Sequence, residues 1–202
     1  MKVDLNADVG ESFGRYTLGM DDHLIPLLSS ANIACGYHAG DPLVMEKTVE
    51  LCKNAGVALG VHPGFPDLQG FGRRNMDCTP RELKTMLLYQ MGALEAFLHK
   101  DGLKLQHVKP HGALYNMAAK EEELAKAICD AVKEYDSSLV ILAQASGKLY
   151  QLAEKMGIPV KAEVFMDRAY EDDGSLVNRR KPGAMITDEE EAIERVLSMV
   201  LE

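Results

Sequence analysis

The sequence has no run of about 18 unbroken apolar residues, the length that a membrane-spanning helix requires. Its first ten residues, MKVDLNADVG, include acidic side chains where a signal peptide needs an apolar segment. The net charge is −9, whereas binding to nucleic acid or to an anionic membrane requires a basic surface. We therefore expect no membrane span, no leader peptide and no nucleic-acid partner.

Cysteine is also scarce, and no Cys-x-x-Cys spacing occurs. The four cysteines are Cys35, Cys52, Cys78 and Cys129. They give neither a zinc signature nor a dense disulfide framework, so we expect a reduced protein of the cytoplasm. Internal repeats, low-complexity segments and flexible linkers are missing too. The chain is therefore expected to form a single domain over residues 1–202.

Short strand-like runs alternate with helical patterns along the chain. The candidate strands are Lys2–Asn6, Asn32–Cys35, Val57–Val61, Leu105–Val108, Leu139–Ala143 and Val160–Phe165. Several are continuous apolar runs, as expected when both faces of a parallel strand are covered.

Capping residues mark the helices between these strands. Capping boxes are predicted at Thr79 with Glu82 and at Thr187 with Glu190. Asp41 and the proline after it predict a helix that runs through Cys52, and an apolar stripe predicts another over Glu122–Lys133. The alternation of strands and helices predicts an α/β fold with a parallel sheet.

The first strand leads into NADVGESFG, which is neither a dinucleotide-binding fingerprint nor a phosphate-binding loop. Instead, polar side chains follow the carboxyl end of nearly every predicted strand. They are Asn6, Asp8, His38, Asp41, His62, Lys109, His111, Asp167 and Arg168. In a (β/α) barrel these strand ends converge on one mouth, where the active site lies. The sequence therefore predicts a barrel with a polar mouth.

Three histidines stand beside glycine or proline at these strand ends, in the segments CGYHAGDP, GVHPGF and VKPHGALYN. Histidine is the usual proton carrier near neutral pH and the commonest metal ligand. The repeated context favours a functional role for His38, His62 and His111. The other three histidines, His23, His99 and His107, lack this context and are assigned to the surface or to packing.

Charged residues near the predicted mouth have two interpretations each. Lys109 would pair with a carboxylate or a substrate oxygen, either in a structural ion pair or in a binding site. Asp8 and Glu11 are candidate general bases or metal ligands, and loop capping is the structural alternative. Asp8 could hold a divalent metal together with His38 and His62, or with His111, although no compact motif requires one.

Two basic clusters, Arg73-Arg74 and Arg179-Arg180-Lys181, are more typical of solvated surface. No nucleophile elbow of the G-x-S-x-G type occurs, and Cys35 is more typical of inert packing than of catalysis. From the residues alone, we predict acid/base hydrolysis of a small polar substrate at the barrel mouth.

Five segments carry a resemblance to a known family. They are DLNADVGESFG, SSANIACGYHAGDP, GVHPGFPDLQGFGRR, VKPHGALYN and VFMDRAYEDDGSLVNRRKPGAMI. In order and in register, they resemble the signatures of the LamB/YcsF family, which includes the A subunit of bacterial 5-oxoprolinase. The resemblance spans almost the whole chain.

The resemblance implies a β/α barrel of the glycoside hydrolase/deacetylase type. It implies ATP-dependent opening of the lactam 5-oxoproline to L-glutamate, in a complex with partner subunits B and C. ATP would be a cofactor of the complex. Because this sequence has no phosphate-binding loop, ATP would bind partly or wholly to the partner subunits. A divalent metal remains open, as does homo-oligomer formation.

The family signatures also carry over site residues. From the residues and these signatures together, we predict catalytic roles for Asp8, His38, His62, Lys109 and His111. Substrate-binding roles are predicted for Asn6, Glu11, Asp41, Arg73, Tyr115, Asp167 and Arg168. The signatures further include Phe65, Arg74 and Tyr170.

The family pattern continues with a further strand and a closing helix that this sequence does not include. We therefore expect an incomplete barrel with about seven strands or fewer. Two other functions stay open. One is a metal-dependent deacetylase or amidohydrolase acting alone, and the other is a non-catalytic lactam-binding subunit.

Overall fold

The computed structural model describes residues 3–145 and 147–201. Six parallel strands form one sheet in chain order: β1 (Asn6–Val9), β2 (Ser30–Ala34), β3 (Ala58–His62), β4 (Leu105–Val108), β5 (Val140–Gln144) and β6 (Val160–Glu163). Within the described residues β1 pairs only with β2, and β6 pairs only with β5. The curled sheet is thus a half-barrel, which confirms the predicted incomplete parallel (β/α) barrel.

Helices follow the strands and cover the outer face of the sheet. They are α1 (Asp21–Leu24), α2 (Pro42–Ala55), α3 (Pro80–Lys100), α4 (Gly112–Ala118), α5 (Glu122–Asp136), α6 (Lys148–Lys155) and α7 (Glu189–Leu201), with a 3-10 turn at Ile25–Leu27. The capping box at Thr79 is confirmed, because its side chain accepts from the backbone N–H of Glu82 and the Glu82 carboxylate accepts in return. No helix in the described part of the chain is long and apolar enough to cross a membrane.

The predicted cap of α7 was wrong by one residue. The Asp188 carboxylate, not the Thr187 hydroxyl, accepts the backbone N–H of Glu191, at 2.9 Å. Both side chains can cap a helix, and the ionised oxygen of an aspartate is the stronger acceptor.

The first strand also differs from its prediction. It begins at Asn6 instead of ending there, and Lys2 lies outside the described residues. Asn6 and Asp8 therefore lie within β1, although polar residues normally end such a strand. They are accommodated because they contact polar partners on β2 and β4, including Asn32 and Lys109.

The apolar core lies between the sheet and the outer helices. The α3 stripe is buried at five positions: Leu83, Leu87, Met91, Leu94 and Leu98. It packs against the buried face of α5, which includes Leu124, Ile128 and Val132. Each fully buried leucine stabilises the fold by about 1.5–3 kcal/mol. This packing fixes the strands, so that their carboxyl ends can carry polar side chains.

Candidate active site at the carboxyl ends of the strands

The carboxyl ends of the strands bring together polar side chains that are far apart in the sequence. β1 contributes Asp8 and leads to Glu11, and β3 ends at His62. Lys109 and His111 follow directly after β4. These residues lie within one network of short contacts. The predicted convergence on a common mouth is thus present in the structure.

Two of the histidines have a fixed tautomer. The Nδ1 atom of His62 lies 2.7 Å from the carbonyl oxygen of Lys109, and the Nε2 atom of His111 lies 2.8 Å from that of Phe71. A carbonyl oxygen only accepts, so each of these nitrogens carries a hydrogen. The remaining nitrogens, His62 Nε2 and His111 Nδ1, are 2.9 Å apart.

In two neutral rings these nitrogens would direct lone pairs at each other. A proton on His62 Nε2 removes this conflict, because that atom can then donate to His111 Nδ1. The same nitrogen lies 3.2 Å from the Asp8 carboxylate, which favours the charged ring. The geometry therefore assigns the imidazolium to His62.

The pKa shifts agree with this assignment. Burial alone would lower the pKa of His62, but the charge of Asp8 and the hydrogen bond to it outweigh burial and raise that pKa. Burial and the neighbouring charge of His62 lower the pKa of His38 and of His111, each to about 2. The raised pKa favours the charged form of His62, whereas His38 and His111 are neutral near neutral pH.

The two carboxylates beside the histidines differ in proton affinity. Burial would raise the pKa of Asp8, but the charges of His62 and Lys109 outweigh burial and hold it well below its usual range. Burial raises the pKa of Glu11, whose oxygen lies 3.0 Å from His38 Nε2 and 3.5 Å from His111 Nδ1. Glu11 is therefore the better proton acceptor of the two.

Glycines and a strained residue make room for the histidine stack. The rings of His38 and His111 lie parallel, with centroids 3.7 Å apart. A Cβ atom on Gly72 would lie 2.6 Å from His38 and 2.8 Å from His111, so only glycine fits there. The preceding residue, Phe71, has a φ of 55°, which is uncommon for a residue other than glycine, and its carbonyl holds His111.

Lys109 lies between two carboxylates. Its Nζ atom is 2.8 Å from Glu163 and 3.0 Å from Asp8. The Lys109 and Glu163 side chains are each only 5% exposed. Burial would lower the pKa of Lys109, but the two negative charges outweigh burial and raise it. Lys109 is therefore a charged residue that is already neutralised by protein groups.

A cavity of about 880 Å³ opens over this cluster. Its lining includes Asp8, His62, Lys109, His111 and Tyr115. The hydroxyl of Tyr115 is buried next to the Glu163 carboxylate. Burial and the nearby Glu163 charge raise the pKa of that hydroxyl well above its usual value. The phenol is thus protonated and is a candidate hydrogen-bond donor to a ligand.

Arginines also line the cavity. Arg73, Arg168 and Arg179 form no ion pair within the described ranges. Arg168 is 5% exposed, and its Nη2 group donates to the Val177 carbonyl at 2.7 Å. Its buried Nε atom has no hydrogen-bond partner within the described residues. Burial and repulsion by Arg179 and Arg73 lower the pKa of Arg168. Such a group of unpaired cations favours an anionic ligand.

Four of the predicted substrate-binding residues, Asn6, Glu11, Asp41 and Asp167, do not line this cavity, and neither does the predicted catalytic residue His38. Asp41 caps α2 through one oxygen, and its other oxygen accepts the backbone N–H of Gly14 at 2.7 Å. Asp167 lies outside the lining, next to Arg168. Asn6 lies beneath the cluster and contacts Asn32 and Lys109. The substrate contacts predicted for these four residues, and the catalytic role predicted for His38, stay predictions.

Several functional candidates were missed by the sequence interpretation. Glu163 is the last residue of β6 and the buried one of its four residues, and this position at the carboxyl end of a strand could have identified it. Arg179 and Arg180 were assigned to solvated surface and are indeed exposed, but both also line the cavity. His107 was assigned to packing and is indeed 1% exposed, but it also makes a specific contact with Asn32.

A metal ion could bind to part of a group of four residues whose ligand atoms lie within 4.8 Å of one another: Glu11, His38, His62 and His111. A ring nitrogen binds a metal close to the plane of its ring, along the lone pair. The parallel rings of His38 and His111 are separated by their 3.7 Å stacking distance, so one ion cannot lie in both planes. One ion could therefore bind Glu11 and His62 with either His38 or His111, but not with both.

Comparison with known proteins identifies the relatives of this chain. A profile of the LamB/YcsF family matches residues 3–202. The chain is 59% identical to the A subunit of 5-oxoprolinase from Clostridium beijerinckii, over 100% of this chain and 79% of that protein. It is 56% identical to the corresponding 5-oxoprolinase subunit of Pyrococcus abyssi, over 99% of this chain and 78% of that protein. The crystal structure of a lactam utilization protein from Thermus thermophilus superposes with a TM-score of 0.95 at 52% identity, covering 100% of this chain and 82% of that one.

Proposed function

The chain belongs to the LamB/YcsF family, and we propose on that premise that it is the A subunit of an ATP-dependent 5-oxoprolinase. The enzyme would hydrolyse 5-oxo-L-proline to L-glutamate together with partner subunits B and C. The names of the relatives support the family role, and the term subunit implies partners. Four cysteines without disulfides suit a reducing compartment, so we place the complex in the cytoplasm.

One observation carries the proposal: the cavity that Asp8, His62 and His111 line is also lined by arginines that form no ion pair within the described residues. The substrate, 5-oxoproline, offers a carboxylate for the arginines and a ring amide for the proton-transfer groups. Lys109 is neutralised by Asp8 and Glu163, so it is a poor partner for another carboxylate. We assign the substrate carboxylate to Arg168, whose buried Nε lacks a partner within the described residues, together with Arg73.

The ring amide requires activation, because an amide carbonyl is a poor electrophile. Coupling to ATP is explained by phosphorylation of the lactam oxygen, a step that we assign to the partner subunits. Water then adds to the activated carbon while Glu11 accepts its proton, and the ring C–N bond breaks as His62 protonates the nitrogen. Hydrolysis of the resulting acyl phosphate releases glutamate and phosphate.

The proton positions in the cluster suit these two roles. His62 carries a proton on Nε2, held by Asp8, and is the general acid. The raised pKa of Glu11 makes it the general base. His38 stays neutral and fixes the position of the Glu11 carboxylate through its Nε2 atom, at 3.0 Å. His111 also stays neutral, with its hydrogen on Nε2, so its Nδ1 atom has no hydrogen to donate to Glu11.

A second candidate is a metal-dependent amidohydrolase acting alone. The cluster of His62, His111 and Glu11 favours it, because these groups provide three ligands for one divalent ion. This candidate predicts ring opening without ATP and without partners, and loss of that activity with a chelator. The ATP-linked reaction proposed above requires both ATP and partners.

Site variants in the assembled complex test the proposed roles. Glutamate formation from 5-oxoproline and ATP should fall at least about 100-fold for His62→Gln and for Glu11→Gln, as expected when an acid or base is removed. His99→Gln is the matched control, because this histidine is exposed on α3. Turnover by His62→Gln or Glu11→Gln within threefold of wild type would exclude the assigned roles. Lactam binding without turnover in the wild-type mixture would instead indicate a non-catalytic subunit.

A further inference from the structure

The cavity over the candidate active site carries more positive charge than one carboxylate ligand requires. Four arginines line it without an ion pair inside the described residues: Arg73, Arg168, Arg179 and Arg180. The acidic side chains of the lining are Asp8, which pairs with Lys109, and Glu121. This excess of cations occurs in a chain whose net charge is −9. A concave surface of one charge sign concentrates ligands of the opposite sign.

The proposed substrate uses only part of this cavity. 5-Oxoproline is a single small ring with one carboxylate, which we assign to Arg168 and Arg73. The cavity has a volume of about 880 Å³, near the upper end of the roughly 300–1,000 Å³ that pockets for drug-sized ligands have. Space therefore remains for a second anionic group, and two exposed arginines, Arg179 and Arg180, remain to bind it.

The segment that carries Arg179 follows β6 and is held in place on both sides of this residue. Before it, the Val177 carbonyl accepts from Arg168 Nη2, at 2.7 Å. Across it, the Asn178 side chain accepts the backbone N–H of Arg180, at 3.0 Å. The first of these hydrogen bonds fixes the segment of Arg179 directly beside the arginine that we assign to the substrate carboxylate.

The electrostatics of the arginines favour a multiply charged anion. Burial lowers the pKa of Arg168 and of Arg73, and the positive charge of Arg179 lowers both further. An anion bound among such cations removes their mutual repulsion. The buried Nε atom of Arg168 also lacks a hydrogen-bond partner within residues 3–145 and 147–201, so the group includes a donor that a ligand can satisfy.

A phosphoryl group is the chemical class that suits these arginines. The planar guanidinium group matches the geometry of carboxylates and phosphates. A phosphoryl group carries about two negative charges near neutral pH and several acceptor oxygens, so more than one arginine can bind it. In a lactam phosphorylated on its oxygen, the carboxylate and the phosphoryl group are attached to the two carbons that flank the ring nitrogen. The two anionic groups are therefore neighbours, as the arginines are.

We propose that Arg179 and Arg180 form a phosphoryl-binding subsite beside the carboxylate site of Arg168 and Arg73, and that this chain thereby holds the lactam in its phosphorylated form. The role of the subsite in turnover rests on the proposed function, because the phosphorylated lactam arises only in the ATP-linked reaction. Binding of phosphate does not depend on that function and can be measured with this chain alone. ATP also carries a terminal phosphoryl group, so the test includes a nucleotide.

Titration of this chain with inorganic phosphate tests the subsite directly. The titration is followed by calorimetry at low ionic strength, in the presence of excess 5-oxoproline. Phosphate should bind with a dissociation constant below about 10 mM, because the carboxylate of 5-oxoproline leaves Arg179 and Arg180 available. Absence of saturable phosphate binding, or its complete displacement by 5-oxoproline, overturns the proposal.

Arg179→Gln and Lys181→Gln form a matched pair of variants. Both positions are exposed, but Lys181 pairs with Glu171 and does not line the cavity. Phosphate affinity should fall at least about tenfold in Arg179→Gln, which loses a charge-assisted hydrogen bond, and should stay within about threefold of wild type in Lys181→Gln. Equal phosphate affinity of the two variants overturns the proposal.

The assembled complex gives a second readout. Arg179→Gln should lower kcat for glutamate formation at least about tenfold, while KM for 5-oxoproline stays within about threefold, because the phosphoryl contact forms only after the lactam has bound. An unchanged kcat contradicts the role of the subsite in turnover. ADP binding to this chain at least tenfold more tightly than phosphate, with the same dependence on Arg179, overturns the assignment to the lactam and identifies a nucleotide phosphate instead.

Failure of the proposed function and failure of this inference give different results. If only the proposed function fails, the wild-type complex shows no turnover, whereas phosphate binding to this chain still depends on Arg179. If only the inference fails, the wild-type complex turns over, whereas this chain shows no phosphate binding that depends on Arg179.

Discussion

Replacing Lys109 by methionine tests whether the buried ion pairs beneath the mouth are arranged as described. Methionine has a similar length and no charge, so Glu163 would lose its ion-pair partner in the described structure. At an effective dielectric constant of about 20, a contact of 2.8 Å gives a Coulomb attraction of roughly 6 kcal/mol, which desolvation partly offsets. Removing one partner of a buried pair costs about 3–5 kcal/mol.

We therefore expect Lys109→Met to lower the free energy of unfolding by about 3–5 kcal/mol at pH 7, measured by urea denaturation. Asp8 contributes less to this loss, because its side chain is 34% exposed and retains His62. Lys126→Met is the matched control. It breaks an exposed pair with Asp130 one helical turn away, and such pairs contribute about 0.3–0.5 kcal/mol.

A double variant, Lys109→Met with Glu163→Leu, distinguishes a buried charge from lost packing. It should recover at least half of the loss, because both charges are then absent. The reasoning is refuted if Lys109→Met costs less than about 1 kcal/mol, or if the double variant is less stable than the single one.

Three further predictions follow from local contacts. Asp8→Asn should lower the pKa of His62, as followed by NMR, because the charge of Asp8 no longer opposes the effect of burial, and an unchanged titration contradicts the pairing. The wild-type pair stabilises the fold below the ordinary histidine pKa of 6.5 and loses this contribution as the pH rises through the raised pKa. The variant should therefore lose less stability than wild type above pH 6.5. Gly40→Ala should lower the free energy of unfolding, measured by urea denaturation, by at least about 1 kcal/mol more than Gly56→Ala. Both glycines have a positive φ, but only at Gly40 would a Cβ atom lie 2.9 Å from a carbonyl oxygen, and equal losses would contradict this reasoning. Asp188→Ala should cost about 1 kcal/mol through loss of the α7 cap, and a larger loss from alanine at the preceding threonine would restore the original assignment.

The meeting of Asp8, His38, His62, Lys109 and His111 could be predicted because parallel strands bring their carboxyl ends to one edge. That inference needs only the strand order and the position of each residue relative to its strand. It did not need the exact bounds of β1, which were wrong. Even with its first strand misplaced, the sequence predicts the membership of the cluster.

The contacts within the cluster could not be predicted, because they depend on register and on competition between acceptors. The pairing of His107 with Asn32 arises across an irregular register next to Gly60, which no spacing reveals. The contact of Asp41 with the backbone N–H of Gly14 joins residues 27 positions apart, and the predicted helix cap did not reveal it. The charge on His62 follows from carbonyl contacts that fix two tautomers, and these are visible only in three dimensions.

The most direct test of the central claim is ATP-dependent glutamate release from 5-oxoproline, measured with this chain alone and with the partner subunits B and C added. We expect glutamate release only in the mixture and only with ATP. A chelator should not inhibit this release when its concentration exceeds that of trace metal but stays below that of the magnesium supplied with ATP. Release by the chain alone without ATP, abolished by a chelator, would contradict it and identify a metal-dependent amidohydrolase. No release in the mixture, under conditions where a relative such as the Clostridium beijerinckii protein is active with the same partners, would also contradict it.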